Sequence, residues 1–409
     1  MNRLISAAVA AVALSMTLTA TLAFPQTEAQ TPFPRPPLQE NCNLSHFCGI
    51  PYTFVPPAKP PSPADGRNWQ SGDGIKLVDG VAVQVGGTAG WGKVCWGSPM
   101  CAWRSETNTI HVVHKPDMNY TYAYPLQFPA GIGGGVTGIA MNSKGHIFAL
   151  VRTPPGQPQL YEWDENHKLV RAFGTDLTAK SHGMAIDAED NIWICDQFGD
   201  TVMKFSPEGK LLETFGVPGK RGDWDEAKGQ RLLWQPLDLA FAPNGDIYIG
   251  MGHGNESPND GAARVLHLDK NGKFINQWFG NANGPGKFSM AHGIAVDPKT
   301  GYVYIADREE YRIVVYTGDG KFVKTIQEPN LVCALFFDPH DQLWMATGQD
   351  GQIVKLDLDG NILDAAGVGS GRGPGQFTET NYMVMDAHGD LFVGDTSQTR
   401  ITEMIPQAQ

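Results

Sequence analysis

An all-β chain closed as a six-bladed β-propeller is predicted by three features of the sequence: a unit that recurs six times, turn residues at short and regular intervals, and enough apolar residues for an extended core. Each unit opens on a small or apolar strand start, passes a turn of the D/N-x-G kind into a second strand, and continues through a polar loop to a third strand. The units read GIAMNSKGHIFALV from Gly138, GMAIDAEDNIWICD from Gly183, DLAFAPNGDIYIGM from Asp238, GIAVDPKTGYVYIAD from Gly293, ALFFDPHDQLWMAT from Ala334 and MVMDAHGDLFVGD from Met383. The 409 residues include 48 Gly and 29 Pro, and 41% are hydrophobic, which suits many short strands joined by tight turns. Strands so spaced pair into antiparallel four-stranded sheets, and tandem sheets of this kind close radially into a ring.

The elements follow in chain order. Residues 1–29, MNRLISAAVAAVALSMTLTATLAFPQTEA, carry one early cation, a short apolar run and small residues at its end. That is the pattern of a signal peptide, so the mature protein is expected to be exported. No later stretch reaches the ~18 apolar residues that a membrane-spanning helix needs. Residues 30–129 form an irregular extension, rich in proline at TPFPRPPLQE and FVPPAKPPSPADG. Its four cysteines, Cys42, Cys48, Cys95 and Cys101, are expected in disulfides, within or between the two pairs, as an oxidising compartment permits. The last repeat has no fourth strand of its own, so the extension is expected to complete that blade, with IKLVDGVAVQVG as the candidate. Residues 130–409 form the propeller, and Cys195 and Cys333 sit in apolar runs as buried thiols.

Several functions are excluded at this level. A net charge of −12 with no basic patch argues against nucleic-acid binding. The glycine-rich strings at 131–138 and 367–375 do not lead from a strand into a helix, so they are linkers rather than phosphate loops. There is no G-x-S-x-G, H-E-x-x-H or C-x-x-C-H. A monomer acting on a small molecule or peptide fits what is left.

The chemistry-bearing pattern is a histidine repeated in register, KSHGMAI and SMAHGIAV. In a propeller the innermost strands line a central channel, and the residue before each unit faces it. Those residues are Thr137, His182, Leu237, His292, Cys333 and Asn381. His182, His292 and Asn381 fall in alternate blades, a third of a turn apart, so the three converge on the axis. Three ligands with an open position is the arrangement of a catalytic zinc; packing against loop backbone is the other reading of such histidines.

The units resemble NHL repeats over residues 130–405, most closely in GPGKFSMAHGIAVDPKTGYVYIADREEYRIVVYTGDGKFV, and the chain is similar to the peptidyl-α-hydroxyglycine α-amidating lyase family. That resemblance implies a catalytic zinc in the central cavity. His182 and His292 match two of the family's three zinc-binding histidines. Asn381 stands at the third, and Tyr382 replaces an aspartate that helps to bind a structural calcium. Arg152 matches an arginine that handles substrate charge. His253, in GMGHGN, stands where the family carries its catalytic tyrosine, so it is either the proton-moving base or a third metal ligand. Asp196, Asp307 and Asp395, at the ends of second strands, read as hydrogen-bonding partners of the following loops. The function expected is that of a divalent-metal-dependent lyase or hydrolase, zinc more than calcium, acting on a small polar or carboxylate-bearing substrate. A non-catalytic recognition propeller and a calcium-dependent lactonase-like hydrolase are the alternatives.

Overall fold

The computed structural model describes the strands between residues 75 and 114, residue 118, and residues 120–407 apart from 253–262, 281–285 and 368–374. All of these belong to one compact unit, Arg35–Gln409. Residues 1–29, Cys42, Cys48 and His253 lie outside the described residues, as do the side chains of Cys95 and Cys101. No described helix is long and apolar enough to cross a membrane.

Six four-stranded antiparallel sheets form the blades of the propeller. Their innermost strands are Val136–Met141, Ser181–Ile186, Pro236–Phe241, Gly293–Val296, Ala334–Phe337 and Thr380–Met385, for blades 1 to 6. The second strands are Ile147–Val151, Ile192–Asp196, Ile247–Met251, Val303–Asp307, Leu343–Ala346 and Leu391–Asp395, and every residue in them is buried. A second strand has a neighbour on each edge and a blade against each face, so it reads as an unbroken apolar run. Outer strands such as Phe322–Gln327 keep one buried residue and face solvent elsewhere. The apolar clusters lie between successive blades; Ile194 and Met203 of blade 2, for example, share one with Leu150 and Leu160 of blade 1.

Blade 6 takes its outer strand from the N-terminal side of the chain. Tyr120–Ala123 pairs with Arg400–Pro406 in the register Glu403↔Ala123 to Pro406↔Tyr120. The segment expected there does something else: Ile75–Val78 pairs with Val81–Gln84 as a separate hairpin. The strand used is the one that leads directly into blade 1, and a short connection costs less loop-closure entropy than a long one. Gly92–Cys95, Met100–Arg104 and Ile110–His114 make a further three-stranded sheet, in which Cys95 and Cys101 are Cα partners. Gln352 ties this sheet to blade 5: its Oε1 accepts from the His114 N–H and its Nε2 donates to the His114 carbonyl, both at 2.7 Å. Cys195 and Cys333 are buried thiols outside any disulfide.

Candidate functional site

The axial residues are aimed by local irregularity in the innermost strands. The pairing of first and second strands slips between Val136 and Gly138, Ser181 and Met184, Pro236 and Asp238, and Thr380 and Met383. Each slip is a bulge that falls on Thr137, His182, Leu237 or Asn381, and a bulge re-aims a side chain that regular pleating would send elsewhere. In blades 4 and 5, His292 and Cys333 lie just before the strand, their N–H groups bonded to Ala306 and Ala346 carbonyls. All six axial residues are buried.

The glycine after each histidine has a separate cause. A Cβ on Gly183 would come within 2.5 Å of the Leu237 carbonyl oxygen and 2.6 Å of Asp238 Oδ1. One on Gly293 would meet Ala334 Cα at 2.8 Å and the Cys333 oxygen at 2.9 Å. Glycine therefore lets the next blade's backbone approach, and the histidine uses that approach. His182 Nδ1 lies 2.9 Å from the Leu237 carbonyl, and His292 Nδ1 lies 2.7 Å from the Cys333 carbonyl. A carbonyl only accepts, so Nδ1 carries a proton in both rings, which in the neutral imidazole leaves the lone pair on Nε2. The two rings meet edge to face with centroids 4.8 Å apart.

Tyr382 reaches across from blade 6, its hydroxyl 2.9 Å from His182 Nδ1 and donating to the Leu237 carbonyl at 3.1 Å. Burial pushes its phenol well above the ordinary value. Asn381, beside it, is 3% exposed, and its Oδ1 has no hydrogen-bond partner among the described residues. Asp238 is enclosed behind this layer, with Oδ2 accepting from the Ile294 N–H at 3.0 Å. Burial pushes its carboxyl up to about 8, against the pull of two backbone N–H groups.

Three carboxylates brace the approach to the axis in the three blades that carry His182, His292 and Asn381. Asp196 accepts from Ala179 and Lys180 N–H, both at 2.9 Å. Asp307 accepts from Ser289 N–H at 3.0 Å and Met290 N–H at 3.1 Å. Asp395 accepts from Thr378 N–H at 2.7 Å and Glu379 N–H at 3.2 Å. All three thus bond the loop before the blade's own first strand, because the end of a second strand stands beside the start of the first; Asp395 also bonds the loop that follows, accepting from Ser397 N–H at 3.1 Å and Gln398 Nε2 at 2.6 Å. Asp307 also holds Arg312 Nε at 2.7 Å and is fully buried. Asp307→Ala is expected to destabilise the fold by about 2–4 kcal/mol, since it strands two N–H groups and a guanidinium. Asp307→Asn, which keeps an acceptor, should lose clearly less in a denaturant titration.

At the same end of the channel stands a layer built by the residue that follows each second strand. Arg152 holds this place in blade 1 and donates through Nη2 to the Ser181 carbonyl at 2.8 Å. Burial works against its charge, and Glu379 and Tyr382 support it. Arg308 holds the same place in blade 4, on the opposite side of the ring, 9% exposed. It donates from Nε to Cys333 Sγ at 3.0 Å and from Nη2 to Glu379 Oε1 at 3.2 Å. Reading residues one by one missed Arg308; laying VYIADR over IFALVR puts it in register with Arg152.

The residues fit a divalent ion in part. Two imidazoles, each anchored through Nδ1 by a carbonyl, have the outer hydrogen bonds that metal-binding histidines generally show, and rings this close suit ~2 Å bonds to one ion. The buried, unpaired Asn381 oxygen is a third donor. Among the described residues no group of three or more His, Cys, Asp or Glu is arranged to hold a metal, so the set is two nitrogens and an amide oxygen. An all-oxygen calcium site does not fit, because two of the three donors are imidazole nitrogens.

Comparison with known proteins agrees with this architecture. A family described as a 6-bladed beta-propeller matches residues 259–353. The peptidylglycine alpha-amidating monooxygenase of Rattus norvegicus is 26% identical over 257 residues, 55% of this chain and 24% of that protein. The probable peptidyl-alpha-hydroxyglycine alpha-amidating lyase of Caenorhabditis elegans is 27% identical over 218 residues, 45% of this chain and 56% of that one. The match thus spans about a quarter of the rat protein and just over half of the worm protein. A solved gluconolactonase from Xanthomonas campestris, 16% identical with a TM-score of 0.51 over 78% of this chain and 99% of its own, shares the fold. The chain is a six-bladed β-propeller, and its relatives include the peptidylglycine amidating enzymes, the α-hydroxyglycine amidating lyases and NHL repeat-containing proteins.

Proposed function

We propose that the chain is an exported, metal-dependent lyase of the amidating type, splitting the carbinolamide C–N bond of a peptidyl-α-hydroxyglycine-like acid at the mouth of its central channel. The observation that carries the reading is the pair of carbonyl-anchored imidazoles whose rings meet on the axis 4.8 Å apart. Export rests on residues 1–29.

His182, His292 and Asn381 would hold the ion, with zinc favoured by the two imidazole nitrogens. A divalent ion there would supply Lewis acidity and so lower the pKa of a substrate hydroxyl. Arg152, with Arg308 opposite, holds the substrate carboxylate; a guanidinium is suited to paired contact with its two oxygens. His253 takes the hydroxyl proton and returns one to the departing amide nitrogen. The C–N bond breaks as the C–O bond becomes a carbonyl, so the products are a primary amide and an α-oxo acid, with no oxidant and no water consumed.

The test is elemental analysis of full-length protein purified without a metal-chelating tag, coupled to an assay of α-oxo acid release from an N-acyl-α-hydroxyglycine. About one divalent ion per chain, with turnover abolished by a chelator and restored by zinc, is expected. Folded protein with neither metal nor turnover would leave a recognition propeller as the reading.

A further inference from the structure

Gln197 follows the second strand of blade 2, in the register that Arg152 holds in blade 1 (IWICDQ, IFALVR). The two residues are fastened to neighbouring steps of the segment that leads into His182. The Gln197 N–H donates to the Lys180 carbonyl at 2.9 Å, and Arg152 Nη2 donates to the Ser181 carbonyl at 2.8 Å. Gln197 is 1% exposed, yet its Oε1 has no hydrogen-bond partner among the described residues. Arg152 Nε and Asn381 Oδ1 are buried and unpartnered in the same way.

Folded proteins keep few such atoms, because a buried polar group without a partner is costly. Other buried atoms without a partner among the described residues, such as Tyr161 Oη and Trp278 Nε1, are scattered through the blades, but the three on Asn381, Arg152 and Gln197 fall at the axial or post-second-strand positions of the consecutive blades 6, 1 and 2. One is the Nε–H donor of the Arg152 guanidinium, a group suited to a carboxylate, and two are acceptors. The acceptor on Gln197 is neutral, is set one blade to the side of Arg152 and is not part of the proposed ion-binding set. What it lacks is an uncharged N–H donor carried next to an acid.

We infer that Gln197 accepts a hydrogen bond from the amide N–H of the substrate while Arg152 holds the carboxylate, so that the mouth selects N-acylated amino acids over esters and lactones of the same shape. This rests on the amidating-lyase reading and narrows it, since a lactone offers no N–H. Sites built to hydrogen-bond a substrate group reject analogues that lack it far more strongly than apolar pockets do. Gln197 is thus a specificity-determining residue rather than a base.

The experiment compares two unreactive ligands by calorimetry on the full-length protein: N-acetylphenylalanylglycine and the ester in which its final N–H is replaced by oxygen. Wild type is expected to bind the amide about 10-fold or more tightly than the ester. Gln197→Leu and, as an unbranched isostere, Gln197→Met should bring the two affinities within about 3-fold, chiefly by weakening the amide. Equal binding of both ligands by wild type, or a preference that survives in a folded variant, overturns the assignment of Gln197 and leaves the lyase reading standing. Wild type that binds neither ligand overturns both.

Discussion

His182→Ala and His292→Ala proteins should each purify with less than about a tenth of the wild-type metal and show no measurable turnover, because each removes one of two imidazole ligands from a site with few others. His253→Ala should behave differently. As the proton carrier it should keep the metal and lose about 10²- to 10⁴-fold in activity, with the loss concentrated in kcat. If His253 is the third ligand instead, its removal should release metal as readily as His292→Ala does, and Asn381→Ala should matter little. Metal analysis of the four proteins separates these cases before any substrate is known. Full metal content in His182→Ala and His292→Ala would make the two histidines packing residues, held by the Leu237 and Cys333 carbonyls for the sake of the ring alone.

A second large effect is expected in the dependence of stability on pH. The Asp238 carboxyl titrates at about 8 in the folded protein and near 4 in an unfolded chain. The proton-bound form is therefore the one that folding favours. This contribution is complete below about pH 4 and is lost progressively as pH rises toward about 8, on the order of 5 kcal/mol at full ionisation. Wild type should accordingly unfold at markedly lower denaturant concentration at pH 9 than at pH 5.5. Asp238→Asn, which keeps the shape and cannot ionise, should flatten that difference; an equally steep decline in the variant would assign the effect to other groups. The ionised carboxylate cannot easily escape, since Gly183 and the Leu237 backbone close over it.

The repeat was legible in the sequence because its information is local. Turn residues and apolar runs mark each hairpin wherever the blade ends up, so six units could be delimited without knowing how they meet. The axial histidines were legible for a related reason: His-Gly recurs because one residue reaches the next blade's carbonyl and the other makes room for it. The closing strand was not legible. IKLVDGVAVQVG and TYAY are both credible strands, and the choice between them depends on the path of the chain into blade 1 rather than on either segment. The loop that follows was the right partner for Asp395, but the loop before the first strand, which all three aspartates bond, was not legible, since a strand end cannot reveal which loop folds back beside it. Arg308 and Gln197 carry no mark of their own. An arginine or a glutamine after a strand is ordinary until the ring puts it opposite or beside Arg152.

The junction of Tyr120–Ala123 with Arg400–Pro406 joins partners separated by about 280 residues, among the costliest kinds of contact to form. During synthesis, the Tyr120–Ala123 strand must wait until all six repeats have followed it. Five blades can assemble in sequence as they emerge, but the sixth is a rendezvous of the strand before the first repeat with the last strand of the ring. A chain stalled or clipped before residue 400 would present an unpaired strand edge and an open seam, a shape that proteases and aggregating neighbours recognise. Closure thus works as a check on the ring: only a chain that has reached its sixth repeat can cover the edge of Tyr120–Ala123.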